Sequence, residues 1–472
     1  MDSPTPRPSV FSQFRECVSK EILAGILSHR YTLVLILTVV AALSVTVVRT
    51  HVYRNQVRQY HEGSQAWRRT MGSVSFAWQS TGLGLSFEKA PEPLAIFAFG
   101  LENELTRSVN FCEYYPDRAG LRKLGATSFR YFSQIDITGV IFFGYSLLAL
   151  MLVFDAVSAG RERGTIRILL AGPIRRTTVI LSKIFAGLVT LAIPLCLAWG
   201  LSIGYAMAVS GHVFTGGELA RLGCMVAVSL VYVGAIFALG LAASCRANSS
   251  NSSLMLVLFG WLLLVLFLPA GAKAICDIVY PIPSFASVEE DTQATQAAVF
   301  DDRLTTQIAD EILREQPDVS PERMQELIQK RIADRARNAE RDRENKMRSN
   351  VALFGKLLRV SPAWSYLSVS TSLAGTGAAD YLKFLDDVRL FRSEFEAASE
   401  EQKRVADASI HHPHAFYGEG TPFSPDRWPS FRYARAPVTR LVDAVSVDCA
   451  WIVGAMFLFL LIAVVGFVRA EV

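Results

Sequence analysis

The residues most able to act on another molecule crowd into one short stretch between two apolar segments. They are Arg161, Glu162, Arg163, Gly164, Thr165, Arg167, Pro173, Arg175 and Arg176, with Lys183 just beyond. Cations outnumber the acids nearby, Asp155 and Glu162, which suits charge-paired docking of a protein surface rather than covalent chemistry. Catalytic signatures are missing. There is no GxxxxGK[ST] loop to cradle nucleotide phosphates, no HExxH, no GxSxG and no dinucleotide fingerprint. His411, His412 and His414 lie close together, but Pro413 separates them and no carboxylate stands at a regular spacing. A solvated loop is expected there, not a metal site. The chain is accordingly expected to be no enzyme and to hold no metal or cofactor of its own.

The elements that must position this basic stretch are membrane helices. Residues 31–48, 137–154, 184–210, 222–245, 254–272 and 449–468 contain no Asp, Glu, Lys or Arg. Each reaches or nearly reaches the ~18–20 apolar residues a helix needs to cross ~30 Å of hydrocarbon. None alternates as a barrel strand does. The expected fold class is an all-α polytopic membrane protein, with six transmembrane helices and a mainly helical extracytoplasmic domain. Composition agrees, with 51% hydrophobic and 19% charged residues, against about 25% charged in soluble domains. Ala42 and Ser44 would make a small-residue cleavage site, but residues 1–30 precede the first apolar run and that run is long. It reads as a span, not as a removed signal.

Orientation follows from Lys and Arg in the short loops. The loop 155–183 is strongly basic, residues 1–30 add Arg7, Arg15, Lys20 and Arg30, and the short connection 211–221 carries only Arg221. Both termini and the basic loop are therefore expected in the cytoplasm of a bacterium, with the spans in its inner membrane. Segments 49–136 and 273–448 would lie outside, and long translocated segments escape the charge rule. A net charge of +4 gives no reason to expect nucleic acid. Cys112 and Cys276 both fall outside on this topology, and whether they pair stays open.

Before the first span, Phe11, Phe14, Val18, Ile22 and Ile26 recur at helical spacing, an amphipathic stripe suited to the headgroup region. Within 273–448, Ser320-Pro321 is a helix start signal, and residues 321–348 alternate acids with Arg and Lys as a solvated helix does. Ser361-Pro362 makes a corner, and Gly375 and Gly377 punctuate further helices. Trp199, Tyr205 and Trp261 lie in apolar stretches, where aromatics mostly pack or anchor, and no role is assigned to them.

The basic loop also carries a resemblance. Glu162, Gly164 and Thr165, then Leu169 and Leu170, then Pro173, Arg176 and Lys183 follow the order E-x-G-T, L-L, P-x-x-R and K. This is similar to the loop between the second and third helices of ABC-2-type permeases. It most resembles a subgroup with a large extracytoplasmic insert, through Ser361-Pro362-Ala363, Ala374-Gly375-Thr376, the run from Leu390 to Phe395 and the ending Gly466-Phe467-Val468-Arg469. The resemblance implies that the loop holds a coupling helix that docks on a separate ABC ATPase, which would carry the ATP and Mg. It also implies that residues 11–27 form the connecting helix and that a second permease copy or homologue completes the membrane body. Export of an amphiphilic or lipid-like substrate follows from the same resemblance. Spans free of Asp, Glu, Lys, Arg and His fit a transporter powered from outside the membrane rather than an ion-coupled carrier. A periplasmic partner for the external domain is a further expectation. The rival expectation is a membrane scaffold that relays ATPase motion to the external domain and moves no cargo.

Overall fold

The computed structural model describes residues 10–72, 85–100, 108–111, 135–171, 175–281, 302–409, 433 and 438–469. Among the described residues, six helices are long and apolar enough to cross a membrane. The chain opens with α1 (Val10–Ile26), which leads into α2 (His29–Gly72). Two short strands follow, β1 (Leu85–Glu88) and β2 (Ser108–Phe111), paired antiparallel with Leu85 opposite Phe111. Among the described residues this pair is the one departure from an all-α fold.

The second span, α3, is built of Ile137–Gly139, a π-helical turn Val140–Tyr145 and Ser146–Val153. The short helices α4 (Ser158–Glu162) and α5 (Thr165–Ala171) lie in the basic loop. The spans α6 (Arg176–Val209), α7 (Gly216–Arg246) and α8 (Ser250–Val279) come next. Beyond them lie α9 (Asp302–Glu315), α10 (Pro321–Leu358), α11 (Pro362–Ala374), α12 (Ala378–Ser409) and the last span, α13 (Val438–Arg469). The helices overrun the charge-free stretches because backbone hydrogen bonding continues past the apolar core. The polar residues 51–69, for instance, extend α2 well beyond its span.

The bundle is centred on α7, with Tyr232, Val233, Ala235, Ile236 and Ala238 all buried. Apolar lipid gives little drive to helix association, so close packing through small residues must supply it. Gly240 does this: a Cβ there would sit 2.3 Å from Val153 Cγ1, inside α3. Irregular turns within the spans have identifiable causes. Pro269 lacks the N–H that would close the ladder after the π-helical turn Leu263–Phe267. The Leu264 carbonyl in that turn accepts instead from Ser361 Oγ at 2.7 Å. In the turn of α3, the Phe142 carbonyl accepts from Tyr232 Oη at 3.0 Å. Beside Pro194 in α6, the Leu191 carbonyl accepts from Tyr145 Oη.

Residues 273–448 do not form one body apart from the spans. The first of them complete α8, and α11 is inserted among α7, α13 and the start of α3. There Tyr366 stacks on Tyr232 with ring centroids 4.6 Å apart, and its hydroxyl lies 3.1 Å from Ser229 Oγ. The sequence carries the reason. Residues 362–374 have no charged side chain, yet are too few to cross a bilayer, a length typical of a re-entrant or core helix. The corner at Ser361-Pro362 thus turns the chain deep in the bundle. Further out, α9 and α10 form a hairpin around Ile308, Ile312 and Ile332, laced by Arg331–Glu315 and Arg335–Glu311 pairs at 2.7 Å. Its root is fixed, because Asn350 Nδ2 donates to the Cys276 and Tyr280 carbonyls at the end of α8. Cys276 is a buried free thiol, whereas Cys112 and residues 411–414 lie outside the described residues.

Candidate functional site

At the basic-loop end of the bundle, the loop's polar side chains reach separate elements. Arg161 donates from Nη1 to the Ala247 carbonyl at 2.9 Å and from Nη2 to the Cys245 carbonyl at 3.0 Å. These carbonyls end α7, where the last helical acceptors lack partners and a cation also meets the negative end of the helix dipole. Glu162 does the converse for α8. One carboxylate oxygen, Oε2, accepts from Ser250 N at 3.1 Å and from Ser250 Oγ at 2.9 Å, at a helix start that favours negative charge. Ser249, the N-cap of that helix, accepts from Ser252 N. Two adjacent residues of opposite charge therefore clasp the corner between α7 and α8.

The remaining ties run outward from the same loop. Ser244 Oγ accepts from the N–H groups of Val157 and Ser158 at 3.0 and 3.2 Å. Asp155 pairs with Arg30, in the first turn of α2, at 2.8 Å. Arg176 Nη1 donates to the Val468 carbonyl near the end of α13. Lys183 Nζ meets Glu21 of α1 at 2.8 Å, and Phe14 packs on Phe185 nearby. Between α4 and α5, Gly164 adopts φ +71°, a left-handed conformation that glycine takes without penalty. The turn folds α5 back, burying Ile166 against Gly160.

At the opposite end of the bundle, residues 91–99, with a 3₁₀ turn at Pro93–Ile96, are buried along their whole length. Phe97 is fully enclosed, 5.9 Å from the Trp199 ring and 6.4 Å from Phe214 between centroids. Its carbonyl accepts from Thr138 N and Oγ1. Phe99 N donates to Asp136 Oδ2 at 2.7 Å, and Asp136 Oδ1 caps α3 at Gly139 N. Burial pushes the Asp136 carboxyl above its ordinary range, opposed by those N–H donors and by Arg49. The Arg49 guanidinium lies 3.9 Å over the Phe99 ring. Thr376 Oγ1, from residues 273–448, donates to the Ala98 carbonyl at 2.8 Å, and Lys89 Nζ donates to the Gly375 carbonyl at 3.4 Å. The two external segments thus fold together.

Comparison with known families decides what kind of protein carries these two ends. A family model described as ABC-2 family transporter protein matches residues 18–368, most of the chain. The chain belongs to the ABC-2 transporter family. No curated protein matches it. ABC-2 permeases are membrane subunits and not ATPases, so membership makes this chain a multi-pass membrane component that works with an ABC ATPase.

Within this ABC-2 chain the residues expected to serve coupling separate into groups. Half-buried Arg161 and exposed Glu162 act as ties, and Gly164 makes the turn. The side chains of Arg163, Thr165, Arg175 and Arg176 are exposed, and Ile168 is 77% exposed beside them. Arg176 nevertheless holds α13. Nothing is described of the Arg167 side chain, and Pro173 lies outside the described residues. Sequence reasoning missed the receiving groups, Ser244, Ser250 and the Cys245 and Ala247 carbonyls. A signal for one was present, since the Ser/Asn run 248–253 is a helix-start composition.

Proposed function

We propose that this chain is the permease subunit of an ATP-driven exporter, whose ATPase docks on the exposed face of the basic loop and drives efflux of an amphiphilic or lipid-like substrate. The observation that carries the reading is the double clasp of Arg161 on α7 and Glu162 on α8, with Arg176, Lys183 and Asp155 reaching α13, α1 and Arg30. A push on α4 and α5 would be delivered to several spans at once rather than absorbed by a loose loop. Arg163, Thr165, Ile168 and Arg175 form the docking face, and the loop lies on the cytoplasmic side. A second copy or a homologous permease completes the translocation body.

The test is reconstitution of the chain with its cognate ATPase in proteoliposomes. Glu162→Ala should leave insertion intact, while nucleotide hydrolysis by the bound ATPase loses its dependence on the permease. Full coupled function in this variant would refute the assignment.

The mechanotransmission reading also has an observation behind it. Asn350 roots the α9–α10 hairpin on the end of α8, the same span that Glu162 holds at its start. Motion of α8 would reach the hairpin directly. Movement of the hairpin with ATP, while no cargo crosses the bilayer, would favour this reading over export.

A further inference from the structure

Two hydrogen-bond donors deep in α6 have no partner among the described residues. Trp199 Nε1 and Ser202 Oγ are both enclosed without an acceptor among the described residues, and neither borders a space that would admit a water. Leaving such a donor unsatisfied is costly in a protein interior, and native structures rarely tolerate it without a reason. The two residues stand three apart and so share one face of the helix. Trp199 lies about three helical turns inside the distal end of α6, and the ring directly against it is Phe97.

Phe97 lies in residues 91–99, a buried segment whose regular element is a single 3₁₀ turn, Pro93–Ile96. Non-helical backbone at this depth is tolerated only where protein encloses it or where it lines an aqueous path. Here it is held by hydrogen bonds to groups on neighbouring elements: Thr138, Asp136 and Thr376. A cork kept solely for stability would be expected to satisfy or avoid the polar groups it covers. This one packs Phe97 on Trp199, whose Nε1–H has no acceptor among the described residues.

We propose that residues 91–99 are a withdrawable plug over Trp199, and that Trp199 Nε1–H and Ser202 Oγ–H, on one face of α6, form a subsite for an oxygen acceptor of the transported amphiphile. The proposal rests on the permease reading and adds to it the place where cargo is held and the segment that covers it. Withdrawal releases the Phe97 ring from Trp199, and the two donors then meet a carbonyl, hydroxyl or phosphoryl oxygen. Return of the plug expels that oxygen, so binding and release alternate with the same contact.

The test uses the full chain with its cognate ATPase in proteoliposomes, and an NBD-labelled phospholipid as the probe. In a background with the native cysteines replaced, Ser202→Cys is challenged with a membrane-impermeant maleimide from the side of residues 91–99. Labelling is expected to rise about tenfold during ATP turnover, as a minor open state becomes populated. A disulfide formed between Ala98→Cys and Thr376→Cys should suppress the rise. Trp199→Phe and Ser202→Ala should each raise the KM for the phospholipid several-fold more than they lower kcat. If wild type moves the probe while Ser202→Cys stays sealed throughout turnover, the plug is wrong and the permease reading stands. Labelling that is already fast without nucleotide also overturns the plug, and an unchanged KM in both substitutions overturns the subsite. If Ser202→Cys opens with ATP in a chain that moves no probe, the export reading fails and the subsite fails with it.

Discussion

Glu162 and Ser250, distant in sequence, are joined by two hydrogen bonds to one carboxylate oxygen, from the backbone N–H at 3.1 Å and the hydroxyl at 2.9 Å. The bond is charge-assisted and sits at the first turn of α8, so it acts both as a tie and as a cap. Glu162→Ala and Ser250→Ala should therefore be strongly non-additive. Each should lower ATP-coupled function on the order of tenfold or less, and the double substitution should lower it little further. Independent, multiplying losses in a double-mutant cycle would show that the two residues act apart.

Arg161 spans two carbonyls, and only a planar guanidinium offers that fork. Arg161→Lys should keep the charge and lose one of the bonds. A loss of stability approaching that of Arg161→Ala, about 1.5–3 kcal/mol, is expected in thermal unfolding of the detergent-solubilised chain. Wild-type stability in the Lys variant would mean that charge alone matters at the end of α7.

Gly164 has open space around its Cα and a φ of +71°, so substitution there meets backbone strain and no clash. Gly164→Ala should cost about 1–2 kcal/mol, and Gly164→Asn less, because asparagine enters the left-handed region more readily. Equal losses in the two variants would point to packing instead of backbone conformation.

Asp380 gives the pH dependence. It is buried, its Oδ2 has no hydrogen-bond partner among the described residues, and burial raises its carboxyl above the ordinary range against the pull of Lys89. A raised carboxyl favours the folded state while it is protonated in both states. That contribution is lost as pH rises through the raised value. Asp380→Asn should thus raise stability at pH 7 by on the order of 1 kcal/mol, with the gain shrinking towards pH ~4. A variant less stable at pH 7 than wild type would show that attraction to Lys89 outweighs desolvation.

The topology has a direct check. Thr165 is exposed in the basic loop, and Val213 is 87% exposed in the connection at the other end of α6. Thr165→Cys should react with an impermeant thiol reagent only once the cytoplasmic face is opened, and Val213→Cys in intact spheroplasts. The reverse pattern would invert the orientation assigned from the Arg and Lys bias.

Hydrophobic length and charge placement determined much by themselves. Six spans follow from charge-free runs such as 222–245, because hydrocarbon thickness sets the helix length and lipid forbids unpaired backbone groups. The E-x-G-T order pointed to the family. The sequence also held the first turn of α10, through the Ser320 cap and Pro321. What only the tertiary structure decided is which partner each polar group takes. Arg161 and Arg163 are alike as letters in a basic run, yet one caps α7 and the other faces outward, because helix phase and the position of α7 select between them. The short charge-free run 362–374 gave a length, but its place against Tyr232 depends on a cavity that α7, α13 and α3 shape together. Trp199 and Phe97 are far apart in sequence and meet only when an external segment folds back into the bundle. Local periodicity encodes which face is apolar, and the choice of what covers that face is made by packing between distant segments.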